Sequence, residues 1–168
     1  AVLELYPETK TGIGPAVETG FYYDFLRDTP FTPEDLEAIE ARMKEIARRE
    51  IPVERLVLAK DEAVKMFEER RQPLKVELIR EKGDAQVTVY RQGDFADFCL
   101  GPHVPSTGLL QNVKLLSVSG AYWKGDEKGP QMQRIYGAVF PTALELEEHL
   151  RLLEEAKKRD HRRLGAEL

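Results

Sequence analysis

The segment from Asp97 to Pro105 concentrates the reactive side chains of this 168-residue chain. It holds the single cysteine, Cys99, with Asp97 two positions before it and His103 four positions after it. Thiol and imidazole groups act as nucleophiles, general bases or metal ligands. Between them, Gly101-Pro102 predicts a turn, because glycine permits positive φ while proline fixes φ and lacks an N–H. Such a turn can direct both side chains to one point.

The residues alone leave three interpretations of the Cys-x-x-x-His pair open. It can be half of a metal site, a nucleophile beside a base, or a buried thiol near an unrelated surface histidine. Two ligands are a weak metal motif, since zinc sites use three or four. The spacing therefore does not choose between these interpretations.

Composition limits the class of protein. Hydrophobic residues make up 42% and charged residues 33%, which is typical of a soluble globular chain. The length suits one domain, or one domain with a small lobe. One cysteine excludes an internal disulfide and fits a reducing, cytoplasmic setting. There is no apolar run long enough to span a membrane, and the net charge of −5 argues against a DNA-coating protein.

Apolar periodicity predicts helices over 33–50, 60–71 and 142–164. Thr32 and Pro33 form a typical helix start, and Thr142 with Glu145 forms a capping box. Residues 1–6 resemble the last turns of a helix before Pro7, and we therefore expect the chain to be cut from a longer protein.

Alternating or aromatic-rich runs predict strands, and these lie at 11–13, 20–25, 53–58, 74–79, 86–91, 113–118 and 131–140. We expect 74–79 and 86–91 to form a hairpin, with Lys75 on the strand face opposite Leu74, Val76 and Leu78. The predicted fold class is α+β, an antiparallel sheet with helices packed on one side. We expect a domain over 1–150 with a small helical lobe at 33–71, and a linking helix over 142–168.

Several motifs together resemble one enzyme family. They are Ile13-Gly14-Pro15, Gly20-Phe21-Tyr22-Tyr23-Asp24, Phe98-Cys99-x-Gly101-Pro102-His103-Val104-Pro105, Gly120-Ala121-Tyr122-Trp123-x-Gly125-Asp126, Gln133-Arg134-Ile135-Tyr136-Gly137 and Ala156-Lys157-Lys158-Arg159-Asp160-His161-Arg162. In order and spacing they resemble the second N-terminal domain, the editing domain, of bacterial threonyl-tRNA synthetases. That domain is related in outline to one in alanyl-tRNA synthetases.

The resemblance implies a proofreading activity, hydrolysis of the ester of serine wrongly attached to threonine tRNA. A missing methyl group is worth only about 1–3 kcal/mol in a binding pocket, so a second site must remove such errors. The implied partners are tRNA and the catalytic domain of the same enzyme, which is implied to be a homodimer. No cofactor is expected for this domain, and ATP, magnesium and zinc are expected only in the catalytic domain.

The resemblance also implies the residues of the editing pocket. Lys75, Asp97, Cys99 and His103 correspond to its catalytic positions, and Tyr23 to a substrate-binding position. Exclusion of the methyl group of threonine requires small or rigid walls, which we expect from Gly14-Pro15 and Gly101-Pro102.

One implied feature is missing from the sequence. The family carries a His-x-x-x-His pair on a helix just before the segment that matches Ala1 to Tyr6, and the three histidines here form no such pair. We therefore expect this chain to fold but not to hydrolyse by itself. Two alternatives stay open, a tRNA-acceptor binding or linker module without catalysis and a zinc-dependent hydrolase of the alanine-editing type. We expect no metal ligand set.

Overall fold

A computed structural model describes residues 1–18, 20–99, 101 and 103–167. The helices are α1 Val2–Leu5, α2 Pro33–Arg48, α3 Lys60–Glu69, α4 Pro73–Lys82 and α5 Ala143–Glu167. The strands are β1 Lys10–Thr11, β2 Ala16–Val17, β3 Gly20–Leu26, β4 Val53–Ala59, β5 Gln86–Gln92, β6 Phe95–Phe98, β7 Asn112–Tyr122 and β8 Gln131–Phe140. These elements confirm the α+β class with antiparallel sheets.

The larger sheet has five strands, in the order β1-β3-β8-β7 with β2 also paired to β3. Strands β1 and β2 pair with opposite ends of β3, at Leu26 and at Phe21 respectively. They form one edge strand that is interrupted at residues 12–15. This interruption lies beside Tyr23, at the centre of β3.

The smaller sheet has three strands in the order β4-β5-β6, and α3 and α4 pack on it. The predicted hairpin of 74–79 with 86–91 is wrong, because residues 73–82 form α4 and β5 pairs instead with β4 and β6. Pro73 at the first helical position suits a helix start. Leu74, Val76, Leu78 and Ile79 are all buried, and a helix buried on more than one side carries little helical periodicity.

The two sheets have separate hydrophobic clusters. Ile39 of α2 packs with Phe25 and Ile135 of the larger sheet, whereas Ala63 and Phe67 of α3 pack with β5 of the smaller sheet. This packing differs from the single helical lobe predicted at 33–71. A third cluster joins α4 to the β7–β8 hairpin.

The predicted helix starts are confirmed in detail. The Thr32 side chain accepts from the Asp35 N–H and the Asp35 side chain accepts from the Thr32 N–H, so α2 begins with a reciprocal capping box. Thr142 likewise accepts a hydrogen bond from the Glu145 N–H at the start of α5. Within the part of the chain described, no helix is both long and apolar enough to cross a membrane.

Candidate active site

Lys75, Asp97 and Tyr23 meet at the junction of the two sheets. The Lys75 Nζ lies 2.5 Å from the Asp97 Oδ1, and the Tyr23 hydroxyl donates to the Asp97 Oδ2 over 2.8 Å. The Lys75 ammonium also lies 5.3 Å from the centre of the Tyr23 ring, within the range of a cation–π contact. Lys75 is only 3% exposed, which is rare for a lysine without a paired charge. The three residues come from α4, β6 and β3, so the site depends on both sheets.

Gln72 fixes the start of α4 against the larger sheet. Its Oε1 accepts from the Thr11 N–H at 2.8 Å and from the Thr11 hydroxyl at 3.1 Å, and its Nε2 donates to the Thr9 carbonyl at 3.4 Å. Gln72 is 6% exposed, so these bonds are shielded from water. They hold the first turn of α4, and with it Lys75, beside Tyr23.

The Tyr23 hydroxyl remains neutral in this environment. Burial, followed by the charge of Asp97 and the hydrogen bond to it, raises the pKa of Tyr23 well above its usual value. The neutral phenol donates a hydrogen bond to the Asp97 carboxylate and keeps its proton. Both carboxylate oxygens of Asp97 are therefore engaged, one by a cation and one by a hydroxyl.

Gly14 closes one side of this cluster. A side chain at Gly14 would collide with the Tyr23 ring, so the backbone of the interrupted edge strand lies directly on that ring. The adjacent Pro15 is partly buried, and its carbonyl accepts from the Tyr22 N–H. Of the two predicted wall residues in this segment, Gly14 lies against the Tyr23 ring and Pro15 is hydrogen-bonded to the neighbouring Tyr22.

Cys99 directly follows β6, and Gly101 and His103 lie beside the paired strands β5 and β6. Gly101 has φ of 75°, and its N–H donates to the Cys99 Sγ over 3.3 Å. A side chain at Gly101 would collide with the Tyr90 hydroxyl, and the His103 ring stacks on Tyr90 at 4.0 Å and 9°.

The structure brings the predicted site residues together in two groups. Lys75, Asp97 and Tyr23 are in direct contact, while His103 contacts Tyr90. Among the residues that the structure describes, no hydrogen bond or ion pair joins His103 to the first group. The two groups are linked by register, because Tyr90 lies directly opposite Asp97 in the β5–β6 ladder. The predicted wall residue Pro102 lies outside the described residues.

Sequence reasoning missed Tyr90 and Gln72. Tyr90 looked like an ordinary strand aromatic, and Gln72 preceded a segment interpreted as a strand. A glutamine immediately before a helix-starting proline is a weak signal, and nothing in the sequence indicated that either side chain is buried.

No group of three or more histidine, cysteine, aspartate or glutamate side chains suited to a metal ion occurs in the described part of the chain. The Cys99 thiol accepts a backbone N–H and the His103 ring is stacked on Tyr90. The described residues therefore offer fewer side-chain ligands than the three or four that a zinc site uses, and the proposal below uses no metal.

Comparison with known proteins gives a consistent result. Residues 87–136 match the family described as "Threonyl and Alanyl tRNA synthetase second additional domain". Over 100% of its length, the chain is 54% identical to a threonine–tRNA ligase of Carboxydothermus hydrogenoformans and 56% identical to one of Clostridium botulinum, covering 27% of each. It is 58% identical to that of Pelobacter propionicus, covering 26% of it. The chain thus spans about a quarter of the length of these relatives.

These matches confirm the resemblance to the second additional domain of threonyl-tRNA synthetases. The matched range contains Tyr90, Asp97, Cys99 and His103, whereas Lys75 and Tyr23 lie before it.

The tryptophan of the motif Gly120 to Asp126 fixes α4 against the larger sheet. Trp123 is 5% exposed and packs on Leu74 and Leu78 of α4, and its Nε1 donates to Glu77. Lys124 contacts both Glu77 and Glu81, which lowers the pKa of Glu77. The β7–β8 hairpin therefore holds the helix that carries Lys75.

Proposed function

We propose that this chain is the editing portion of a threonyl-tRNA synthetase, and that its site hydrolyses the ester of serine mischarged on threonine tRNA. The supporting observation is the buried Lys75–Asp97–Tyr23 cluster beside the Cys99–His103 turn, in a chain similar throughout to threonine–tRNA ligases. Fully buried lysines are rare in soluble domains, and Lys75 is buried only in contact with Asp97.

Ester hydrolysis needs a water, a base to accept its proton and a positive group near the developing oxyanion. Lys75 supplies the positive charge. Asp97 and Tyr23 hold that charge in place, so Asp97 orients its neighbours rather than the substrate ammonium. His103 positions the attacking water or transfers its proton. Cys99 lines the pocket, where its sulfur accepts the Gly101 N–H.

Rejection of threonine rests on close packing. Gly14 and Gly101 allow the backbone to lie against Tyr23 and Tyr90, and any side chain there would collide with the rings. Packed walls of this kind shift little, so an added methyl group displaces the ester from the water. Discrimination then arises in the reaction step more than in binding.

Complete activity requires the His-x-x-x-His pair that the resemblance implies and that this sequence lacks. We further propose that the chain acts in the cytoplasm, with tRNA and the catalytic domain of the same polypeptide as partners, in a homodimeric enzyme.

The test measures hydrolysis of Ser-tRNA and Thr-tRNA by a protein that contains this chain and the histidine pair, with Lys75→Met as the matched inactive variant. We expect rapid loss of serine, slow loss of threonine and loss of activity in the variant. Equal rates for the two esters would contradict the double-sieve proposal. Binding of tRNA without hydrolysis would favour the linker module. Loss of hydrolysis on addition of a chelator would favour the zinc-dependent hydrolase.

A further inference from the structure

Tyr90 is buried at the centre of the smaller sheet, next to the candidate site. It lies on β5, directly opposite Asp97 on β6 and Arg55 on β4. Directly opposite residues of an antiparallel pair project to the same face of a sheet. The Tyr90 side chain therefore lies on the face that carries the Asp97 carboxylate, although Tyr90 itself is only 8% exposed.

The two ends of the Tyr90 side chain contact different parts of the Cys99–His103 turn. The hydroxyl lies against Gly101, where φ is 75° and a side chain would collide with it. The ring lies under His103, with the two ring centres 4.0 Å apart and the planes 9° from parallel. One buried side chain thus contacts both the turn glycine and the histidine.

His103 needs such a support because it is exposed and lies outside any helix or strand. An exposed loop side chain samples several rotamers, and each productive geometry is then populated for only part of the time. Parallel stacking on a buried ring restricts the imidazole to one plane.

We infer that Tyr90 is a positioning residue, which sets the orientation of His103 by the stacking of its ring, while its hydroxyl lies against Gly101. The inference rests on the proposed function for the catalytic use of His103, but the positioning itself is measurable without activity. Tyr90→Leu removes the ring, and Tyr90→Phe keeps the ring and removes the hydroxyl.

The first measurement is NMR of the histidine ring protons in this chain. An aromatic ring stacked at this distance shifts the His103 signals upfield, so Tyr90→Leu should return them towards random-coil positions while Tyr90→Phe retains most of the shift. The signals of His149, which lies near Phe140, serve as an internal reference. Tyr122→Leu, at an exposed residue of β7, is the matched control and should leave His103 unchanged. His103 signals that are the same in Tyr90→Leu and the unaltered chain would overturn the inference.

The second measurement uses the longer protein with the histidine pair. Tyr90→Leu and His103→Ala should each lower the rate constant for serine-ester hydrolysis at least tenfold, and the double variant should be no slower than His103→Ala. The rate constant of Tyr90→Phe should be within about threefold of that of the unaltered protein. This variant keeps the ring and so controls for the possibility that Tyr90→Leu is slow only because it misfolds. Multiplicative losses in the double variant would overturn the inference. If the unaltered protein does not hydrolyse, the proposed function fails, and the NMR result still decides the position of His103.

Discussion

At the scale of single residues, the ion pair of Lys75 and Asp97 is the most consequential interaction. Both side chains are shielded, with 3% and 13% of their surfaces exposed. Removal of one partner leaves the other charge buried and unpaired, so we expect Lys75→Met to lower the free energy of unfolding by about 3 kcal/mol. Urea denaturation measures this loss.

A double-mutant cycle distinguishes the pair from general damage. Lys75→Met with Asp97→Asn should be less destabilised than the sum of the two single variants, because no unpaired charge remains. Lys65→Met, at an exposed residue of α3, is the matched control and should change stability little. Additive losses for Lys75 and Asp97 would show that the two charges do not interact.

The stability of the folded chain should depend on alkaline pH through Tyr23. Its pKa is raised in the folded chain by burial and by Asp97, whereas the unfolded tyrosine ionises near pH ~10. Above that pH the unfolded chain has released a proton that the folded chain retains, so stability falls as pH rises. Below that pH the group contributes its full stabilisation. The melting temperature should therefore fall more steeply between pH 9 and about pH 11 in the unaltered chain than in Tyr23→Phe. Parallel slopes would contradict this prediction.

At the scale of elements, sequence patterns predicted those that are capped or exposed on one side. Thr32 with Pro33, and Thr142 with Glu145, marked the starts of α2 and α5. Strand β8 has the limits predicted for it, Gln131 and Phe140. Capping hydrogen bonds and one-sided burial depend on residues close together in the sequence, so such elements can be predicted from short segments.

Helix α4 could not be read in this way. It is enclosed by α3, the smaller sheet and Trp123, and its apolar residues therefore surround it instead of forming a stripe. Leu74, Val76 and Leu78 alternate by chance with polar residues, which imitates a strand. The residues that pack around α4, such as Val89 and Trp123, lie farther along the chain, so the sequence of 73–82 alone does not indicate them.

Gln72 connects α4 to β1, and its removal should act on the site through the helix. Gln72→Ala leaves the Thr11 N–H and the Thr9 carbonyl without this buried partner, which should cost about 2 kcal/mol. Gln86→Ala, at an exposed strand end, is the control and should be nearly neutral. Equal stability of the two variants in urea would show that Gln72 does not hold the helix.

At the scale of the whole molecule, the site exists only because distant segments meet. Lys75 comes from helix α4, and Tyr23 and Asp97 come from one strand of each sheet. Only the resemblance to a family indicates these three residues together from the sequence. The sequence alone predicts Cys99 and His103 as site residues, because they are close along the chain. It does not predict Lys75, because the pattern of 74–79 favours a strand on which Lys75 would be exposed.

The last prediction concerns the fold and the activity of the whole chain. Each sheet has its own hydrophobic cluster, and the third cluster joins Leu74 and Leu78 of α4 to Trp123 and Met132 of the larger-sheet hairpin. We therefore expect the chain to give a single cooperative melt by circular dichroism. Hydrolysis of Ser-tRNA should nevertheless be absent or at least a hundredfold slower than in a protein that also carries the His-x-x-x-His segment. Residues that act as a unit lose nearly all their effect when one member is missing, because the remaining groups no longer hold water and ester in a reactive geometry.

The matched pair is this chain and the longer protein, both assayed at equal concentration. A third protein, the longer one with both added histidines changed to alanine, separates the loss of those side chains from the loss of the segment. If the short chain hydrolyses as fast as the long one, the added histidines have no part in the reaction, and Lys75, Asp97 and His103 must carry it alone.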